Sequence, residues 1–371
     1  MQISVATFNL NNLFGRWNLY VDAPAPPPTG APAPSIAGAA TTAAATAPER
    51  DWLEEAPVLE GTTRAARRKL PDVKIVIEGH LTPEGIRWRT NPADGRVVYK
   101  KKSEATKKLA ERIKALDVDV LAVQEVESIE ALDEFVDTQG LRRAGYRHLV
   151  LVEGNDDRLI DVGVVSRLPV GAVTSWRHRT YKNRPRERPI FSRDLLEVDV
   201  LSESRKRVLL TLYVNHLKSR LAKDAAEKRA GDLRRKRQAE TIAVIIGERP
   251  PPGPYLVLGD LNDTPGASRL KALRDLGLID GLADPDETGG PYPADDPDQP
   301  KTKAWTHRYR AEGRTDYELF DQIWLSPDLA SKQTGAWIQR RTSRGGDATD
   351  HDPAAVDPER RCRPGRASLT A

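Results

Sequence analysis

Short apolar runs, some separated by helical patterns and others by little more than a turn, constrain this chain most. Runs at 148–153, 161–166, 170–176, 195–201 and 207–215 follow one another without a helical pattern between them. Parallel neighbours need a crossover of a dozen or more residues, so antiparallel pairing must be common. Elsewhere a helix intervenes. Ser103 stands as an N-cap before Leu109, Ala110, Ile113 and Leu116, a second helix is predicted over 129–138, and a long basic one over roughly 222–247. Further strands are predicted at 3–8, 119–125, 255–259, 321–325 and near 334–340. Mixing the two kinds of connection points to two packed sheets with helices outside, rather than a doubly wound parallel sheet.

At 371 residues the chain can bury a substantial core. One globular domain is predicted over 1–357, followed by a disordered tail over 358–371. It carries two insertions. From Ala23 to Ala47 the sequence is almost entirely Ala, Pro, Thr and Gly, so 23–50 is predicted to be disordered. The second, over 64–102, is basic and irregular, with a hairpin predicted around Asn91–Gly95. The stretch 284–298 reads as a solvated acidic loop. Cys362 is the only cysteine, which excludes an intramolecular disulfide. Neither a signal peptide nor an apolar run of the roughly 20 residues needed to span a bilayer is visible. A cytoplasmic protein without membrane association is expected, and no protein partner is inferred.

Net charge is only +4, but it is unevenly placed. Seven basic residues face one acidic residue between Arg177 and Arg193, and nine face three between Lys218 and Arg237. Such clusters suit a polyanion, with nucleic acid the expected partner. Tyr181 and Trp176 lie close enough in sequence to the first cluster to stack on bases, although Trp176 ends an apolar run and reads first as core.

Polar residues recur where the apolar runs begin or end. Asn9 and Asn11 follow the first, Glu125 ends the second, and Asn215-His216 ends the run from Val208. Asp260 ends Tyr255–Gly259, with Asn262 two residues on, while Asp321 opens another run and Asp350-His351 precedes Ala354–Val356. A single carboxylate in such a place is ordinarily a turn former. Repeated along one chain, the pattern predicts that these groups gather on one rim of the sheets.

The segments Thr7-Phe8-Asn9-Leu10-Asn11, Gln124-Glu125, Asn215-His216-Leu217-Lys218-Ser219, Gly259-Asp260-Leu261-Asn262, Asp321–Ser326 and Thr349-Asp350-His351-Asp352-Pro353 resemble the successive motifs of the endonuclease/exonuclease/phosphatase superfamily. That group includes pancreatic deoxyribonuclease, AP endonucleases and inositol polyphosphate 5-phosphatases. Asp161–Arg167 and Arg188–Arg193 resemble its bacterial nuclease-like branch. The resemblance implies a four-layer α/β sandwich, with two mixed β-sheets packed face to face and flanked by helices. It also implies metal-assisted in-line attack of water on a phosphate ester.

On that resemblance, Glu125 is the leading magnesium ligand, with manganese as a substitute, and Asp350 and Asn11 complete the metal's surroundings. The AP endonuclease pattern carries an aspartate where this chain has Asn11, and a neutral amide is the poorer ligand. Asp260 would orient or deprotonate the water, and Asn262 would fix it. His351 would stand against the phosphate with Asp321 holding its ring, and His216 would bind a phosphate oxygen or protonate the leaving group. Asn9 would orient Glu125 or Asp260 from behind. Arg167, Arg193 and Lys218 are the expected phosphate contacts. A nuclease is the leading expectation. The alternatives are a phosphatase or phosphodiesterase of small molecules or lipid head groups, and a non-catalytic binding module on the same fold.

Overall fold

The computed structural model describes residues 3–14, 79–82, 85–88, 101, 103–156, 158–184, 187–289, 302–311, 314–340 and 352–357. The chain divides into two compact units, Met1–Gly15 with Lys100–Ala371, and Arg16–Tyr99. The first unit opens with β1 (Val5–Leu13), and the second contributes the hairpin of β2 (Gly79–Thr82) and β3 (Gly85–Trp88). The first then continues with α1 (Ser103–Leu116), β4 (Val120–Val126), α2 (Ile129–Thr138), β5 (His148–Leu151), β6 (Asp161–Ser166), β7 (Val170–Ser175), β8 (Leu195–Leu201) and β9 (Val208–His216). After these come α3 (Ala225–Glu248), β10 (Tyr255–Asp260), α4 (Lys271–Asp275), β11 (Ile279–Asp280), β12 (Asp286–Gly289), β13 (His307–Ala311) and β14 (Arg314–Glu318). The last elements are β15 (Asp321–Leu325), α5 (Pro327–Ala330), β16 (Gly335–Arg340) and β17 (Ala354–Asp357).

Two mixed sheets result. The first has seven strands in the order β12–β16–β17–β1–β4–β6–β5, and the second has six in the order β11–β15–β10–β9–β8–β7. Period-two alternation assigns their side chains to layers. Val120 and Ala122 of β4 join Val198, Leu212, Leu258 and Ile323 of the other sheet in one buried cluster between the sheets. The intervening Leu121 and Val123 pack outward against Leu109 and Ile113 of α1 and Leu132 and Phe135 of α2. On the far side, Tyr213, Val257 and Trp324 pack against Ala239, Ile242 and Ile245 of α3. The predicted four-layer sandwich is therefore the observed one. Strands covered on both faces, such as β4, are apolar almost throughout, which is why they read as continuous runs.

Helix starts follow local chemistry. The Ser128 hydroxyl accepts the Ala131 N–H at the head of α2, and the Asp224 carboxylate accepts Ala226 and Glu227 N–H at the head of α3. One glycine is decisive. Gly259 has φ +136°, and a Cβ there would lie 1.9 Å from the Asn215 carbonyl oxygen. Only glycine allows β10 to run this tightly beside β9 just before Asp260.

Part of the acidic stretch is not a loop. Asp286–Gly289 forms β12, parallel to β16, and Glu287 accepts from Arg340 at 2.8 Å. The predicted hairpin around Asn91–Gly95, the insertion at 23–50 and the tail at 358–371 lie outside the described residues. Among the described residues, no helix is long and apolar enough to cross a membrane.

Candidate active site

Strand direction decides which ends share a rim. In the first sheet β1 and β4 run parallel, with Asn9 beside Gln124, so Glu125 stands where both strands end. β6 is antiparallel to β4 and begins there, with Asp161 beside Val126. In the second sheet β9 and β10 run parallel, with His216 beside Asp260, and β15 starts beside them, with Asp321 opposite Asp260. One hydrogen bond joins the two rims: Asn9 Nδ2 donates to Asp260 Oδ2 at 3.0 Å.

From that bond a continuous set of contacts spreads. Asp260 Oδ1 accepts the Asn262 N–H at 2.9 Å, and Oδ2 lies 3.6 Å from His216 Nε2. Asn9 Oδ1 accepts the Asn11 N–H at 2.8 Å, and Glu125 Oε2 accepts the Asn12 N–H at 3.0 Å. Asp260 and Asp321 are 2% and 0% exposed and sit directly opposite in the sheet. Like charges so placed repel, so a cation beside them is stabilising. Among the described residues, four of the nine non-glycine residues at φ between +47° and +61° lie here: Asn11, Asn12, Glu125 and Asn262. Each such conformation costs about 1–3 kcal/mol, and strain of this kind collects at functional sites.

The model of the Endonuclease/Exonuclease/phosphatase family matches residues 98–351. The chain belongs to that family. It is thereby a hydrolase of the phosphoesterase group. Among solved structures, an endonuclease/exonuclease/phosphatase family protein from Bacteroides thetaiotaomicron aligns with a TM-score of 0.53 at 13% identity, covering 96% of this chain and 94% of that one. That likeness speaks for the fold alone. A 3'-5' exonuclease from Neisseria meningitidis aligns at a TM-score of 0.46 and 16% identity, covering 68% of this chain and 95% of that one. A mannosyl-6-phosphatase from Bacteroides thetaiotaomicron aligns at 0.49 and 15%, covering 68% and 90%. Among curated proteins nothing matches.

Enzymes of this family generally use divalent metal ions. The donors at this rim are oxygens, from a half-buried carboxylate at Glu125 and amides at Asn9 and Asn11. The left-handed backbone at Glu125 turns that residue out of the regular ladder, where the β4–β6 register shifts. Such a set fits magnesium, which takes one or two carboxylates and retains several waters. Among the described residues, no three His, Cys, Asp or Glu side chains form a complete metal cluster. Asp350 and His351, expected at this rim, lie outside the described residues.

The three expected phosphate contacts separate. Arg167 is a correction. β6 runs away from the site, so its end carries Arg167 to the opposite rim, where it pairs with Asp117 at 2.6 Å and lies 4.6 Å from the Tyr146 ring centroid. Arg193 precedes β8, which begins at the site rim, but it is only 2% exposed. Its Nη1 donates to Leu217 O at 3.3 Å, and its Nε pairs with Asp156 at 3.1 Å. Arg193 therefore lies beneath the surface, close enough for Glu125 and Asp260 to act on its charge. Lys218 remains partly exposed, two residues beyond His216.

Several groups at this rim escape sequence reasoning. Lys101 Nζ donates to Leu10 O at 2.9 Å and also to Asn11 O, bracing the end of β1. Asp161 and Asp194 are both 1% exposed, and burial pushes each carboxyl up to about 7. Asp161 opens a strand, so it could have been found by the same signal that marks Asp321. For Lys101 no such signal exists, because its acceptors are backbone oxygens 90 and 91 residues earlier.

Proposed function

We propose that this chain is a magnesium-dependent nuclease that hydrolyses phosphodiester bonds of DNA or RNA, with manganese as a working substitute. The observation that carries the reading is the bond between Asn9 and Asp260. It locks two sheets together so that a buried carboxylate, an imidazole and the Glu125 carboxylate share one rim.

Glu125, with Asn11 and Asp350, would hold the ion, which supplies neutralisation of the phosphoryl oxygens. Asp260 is fixed by donors from Asn9 and Asn262 and has little freedom to turn. Held so, its carboxylate orients the attacking water and takes its proton. Asn262 donates to Leu217 O at 3.2 Å, which sets its amide beside the same water. His216 receives the phosphate oxygen or protonates the leaving group. On the family resemblance, His351 would act on the phosphate and Asp321 would hold its ring.

The neighbouring surface favours nucleic acid over a small phosphoester. The basic segment 176–194 leaves β7 and enters β8 at the site rim, since Leu195 pairs with Asn215. Its Tyr181 ring centroid lies 5.4 Å from the Lys182 ammonium and 4.9 Å from the Arg237 guanidinium of α3, an arrangement suited to phosphates and bases together. The test is a substrate panel of plasmid DNA, oligoribonucleotides, bis(p-nitrophenyl) phosphate and inositol phosphates. Cleavage of DNA or RNA, lost in EDTA and restored by magnesium or manganese, is expected. Turnover confined to inositol phosphates, or undiminished in EDTA, would overturn the proposal.

A further inference from the structure

Beside the proposed centre lies a cluster of cations that the chemistry above leaves unused. Asp156, its side chain only 11% exposed, bridges two arginines. Its Oδ2 is 3.1 Å from buried Arg193 Nε, while Arg158 pairs with it in fork geometry, Nε to Oδ1 at 2.9 Å and Nη2 to Oδ2 at 3.1 Å. The Arg158 backbone N–H also donates to Oδ1 at 3.1 Å, so one carboxylate fixes both the chain and the side chain of that residue. Arg158 is nevertheless 50% exposed. A guanidinium held rigidly while half in water is preorganised to meet an anion.

Contacts tie this arginine to the reacting groups. The Leu217 carbonyl, between His216 and Lys218, accepts from both Arg193 Nη1 and Asn262 Nδ2. The line from Asn262 through Leu217, Arg193 and Asp156 to Arg158 is therefore unbroken. Lys218 stands beside it. Burial lowers the Lys218 ammonium from its usual value, and Arg193 and Arg158 push it the same way. Burial likewise lowers Arg193 and Arg234. Asp156 opposes the shift in both, whereas Arg158 adds to it in Arg193. Arg158 and Arg193 thus share the Asp156 carboxylate, with Lys218 one residue beyond the carbonyl that accepts from Arg193, and an incoming anion would find cations on both sides of that carbonyl.

We propose that Arg158 and Lys218 form an anion subsite for the phosphate next to the one being cleaved. It rests on the nuclease reading and adds a preference for polymeric substrate. A single phosphodiester fills only the metal-side position, whereas a nucleic-acid strand fills both. Arg193 and Asp156 are positioning residues that hold the pair in place.

The experiment compares wild type with Arg158→Ala and Arg158→Lys, on a short oligonucleotide and on bis(p-nitrophenyl) phosphate. For Arg158→Ala the rise in KM on the oligonucleotide is expected to exceed that on the small diester by at least about tenfold, with kcat less affected. The dependence of log KM on log salt should become shallower by about one for the lost phosphate contact. Arg158→Lys keeps the charge but loses the fork, so an intermediate KM is expected. Equal losses on both substrates, or an unchanged salt slope, would overturn the subsite. A second readout needs no turnover: in metal-free buffer, tripolyphosphate is expected to raise the melting temperature of wild type more than that of Arg158→Ala. Equal shifts would overturn the subsite as well. A wild type that cleaves no oligonucleotide sinks the nuclease reading, and the tripolyphosphate comparison still decides the subsite.

Discussion

Asp260→Asn is expected to lower kcat on a phosphodiester by about 10²–10⁴-fold, the range for removal of a general base. The substitution keeps the shape and one oxygen acceptor, so either the Asn9 or the Asn262 hydrogen bond can persist. What disappears is the negative charge that faces His216 across 3.6 Å and that, in the proposed mechanism, takes the proton of the water. Because the carboxylate is 2% exposed and opposite Asp321, losing its charge relieves repulsion as well as breaking an attraction. Folding stability should therefore change far less than activity. Parallel assays of turnover and thermal unfolding check this. A variant with near-normal kcat would remove Asp260 from the chemistry.

Asp352→Ala carries the largest expected cost in stability. Asp352 is 0% exposed and binds two guanidiniums, Arg112 at 2.6 Å and Arg340 at 3.3 Å. Arg340 also lies 3.6 Å from the Trp305 ring centroid and donates to Trp305 O at 2.6 Å, and Arg112 donates to Gln339 O at 2.8 Å. Removing the carboxylate takes a buried counter-charge from both guanidiniums, of which Arg340 keeps its ion pair with Glu287 at 2.8 Å, and breaking a buried pair in this way costs roughly 3–5 kcal/mol. For a chain of this size the melting temperature should fall by roughly 4–8 °C. Activity should fall with it. The Asp352 N–H donates to Thr306 O at 2.7 Å, and the Thr306 hydroxyl accepts the Asp321 N–H at 2.9 Å, so one threonine links the strand carrying Asp321 to the residue after His351. Asp352→Asn retains an acceptor and should be milder. Thermal unfolding of both variants checks the order, and an Ala variant as stable as wild type would contradict the account.

Much of this was visible in the sequence because strand ends are one-dimensional features. A polar residue after an apolar run marks where a strand leaves the core, as at Asn9, Glu125, His216 and Asp260. What a run does not show is its direction. Arg167 follows an apolar strand just as Glu125 does, but β6 points the other way, so the same local pattern delivers it to the opposite rim. Arg193 was placed at the correct end but at the wrong depth, since its partners Asp156 and Leu217 lie 37 residues before and 24 after it. Charge runs mislead for the same reason. Arg235 belongs to the basic helix, yet it is 2% exposed and pairs with Asp263, 28 residues away. Arg158 follows no strand end and matches no motif, so nothing in the sequence marks it. Its importance arises only once Asp156 is seen to be shared with a buried arginine.

Manganese binding to the full chain, followed as loss of the paramagnetic resonance signal of the free ion, tests most directly whether this rim grips a divalent cation. Saturable binding is expected, weakened by at least about tenfold in Glu125→Gln, where a charged ligand becomes a neutral amide. Identical binding by wild type and Glu125→Gln, or no binding by a wild type that still cleaves phosphodiesters, would contradict the account.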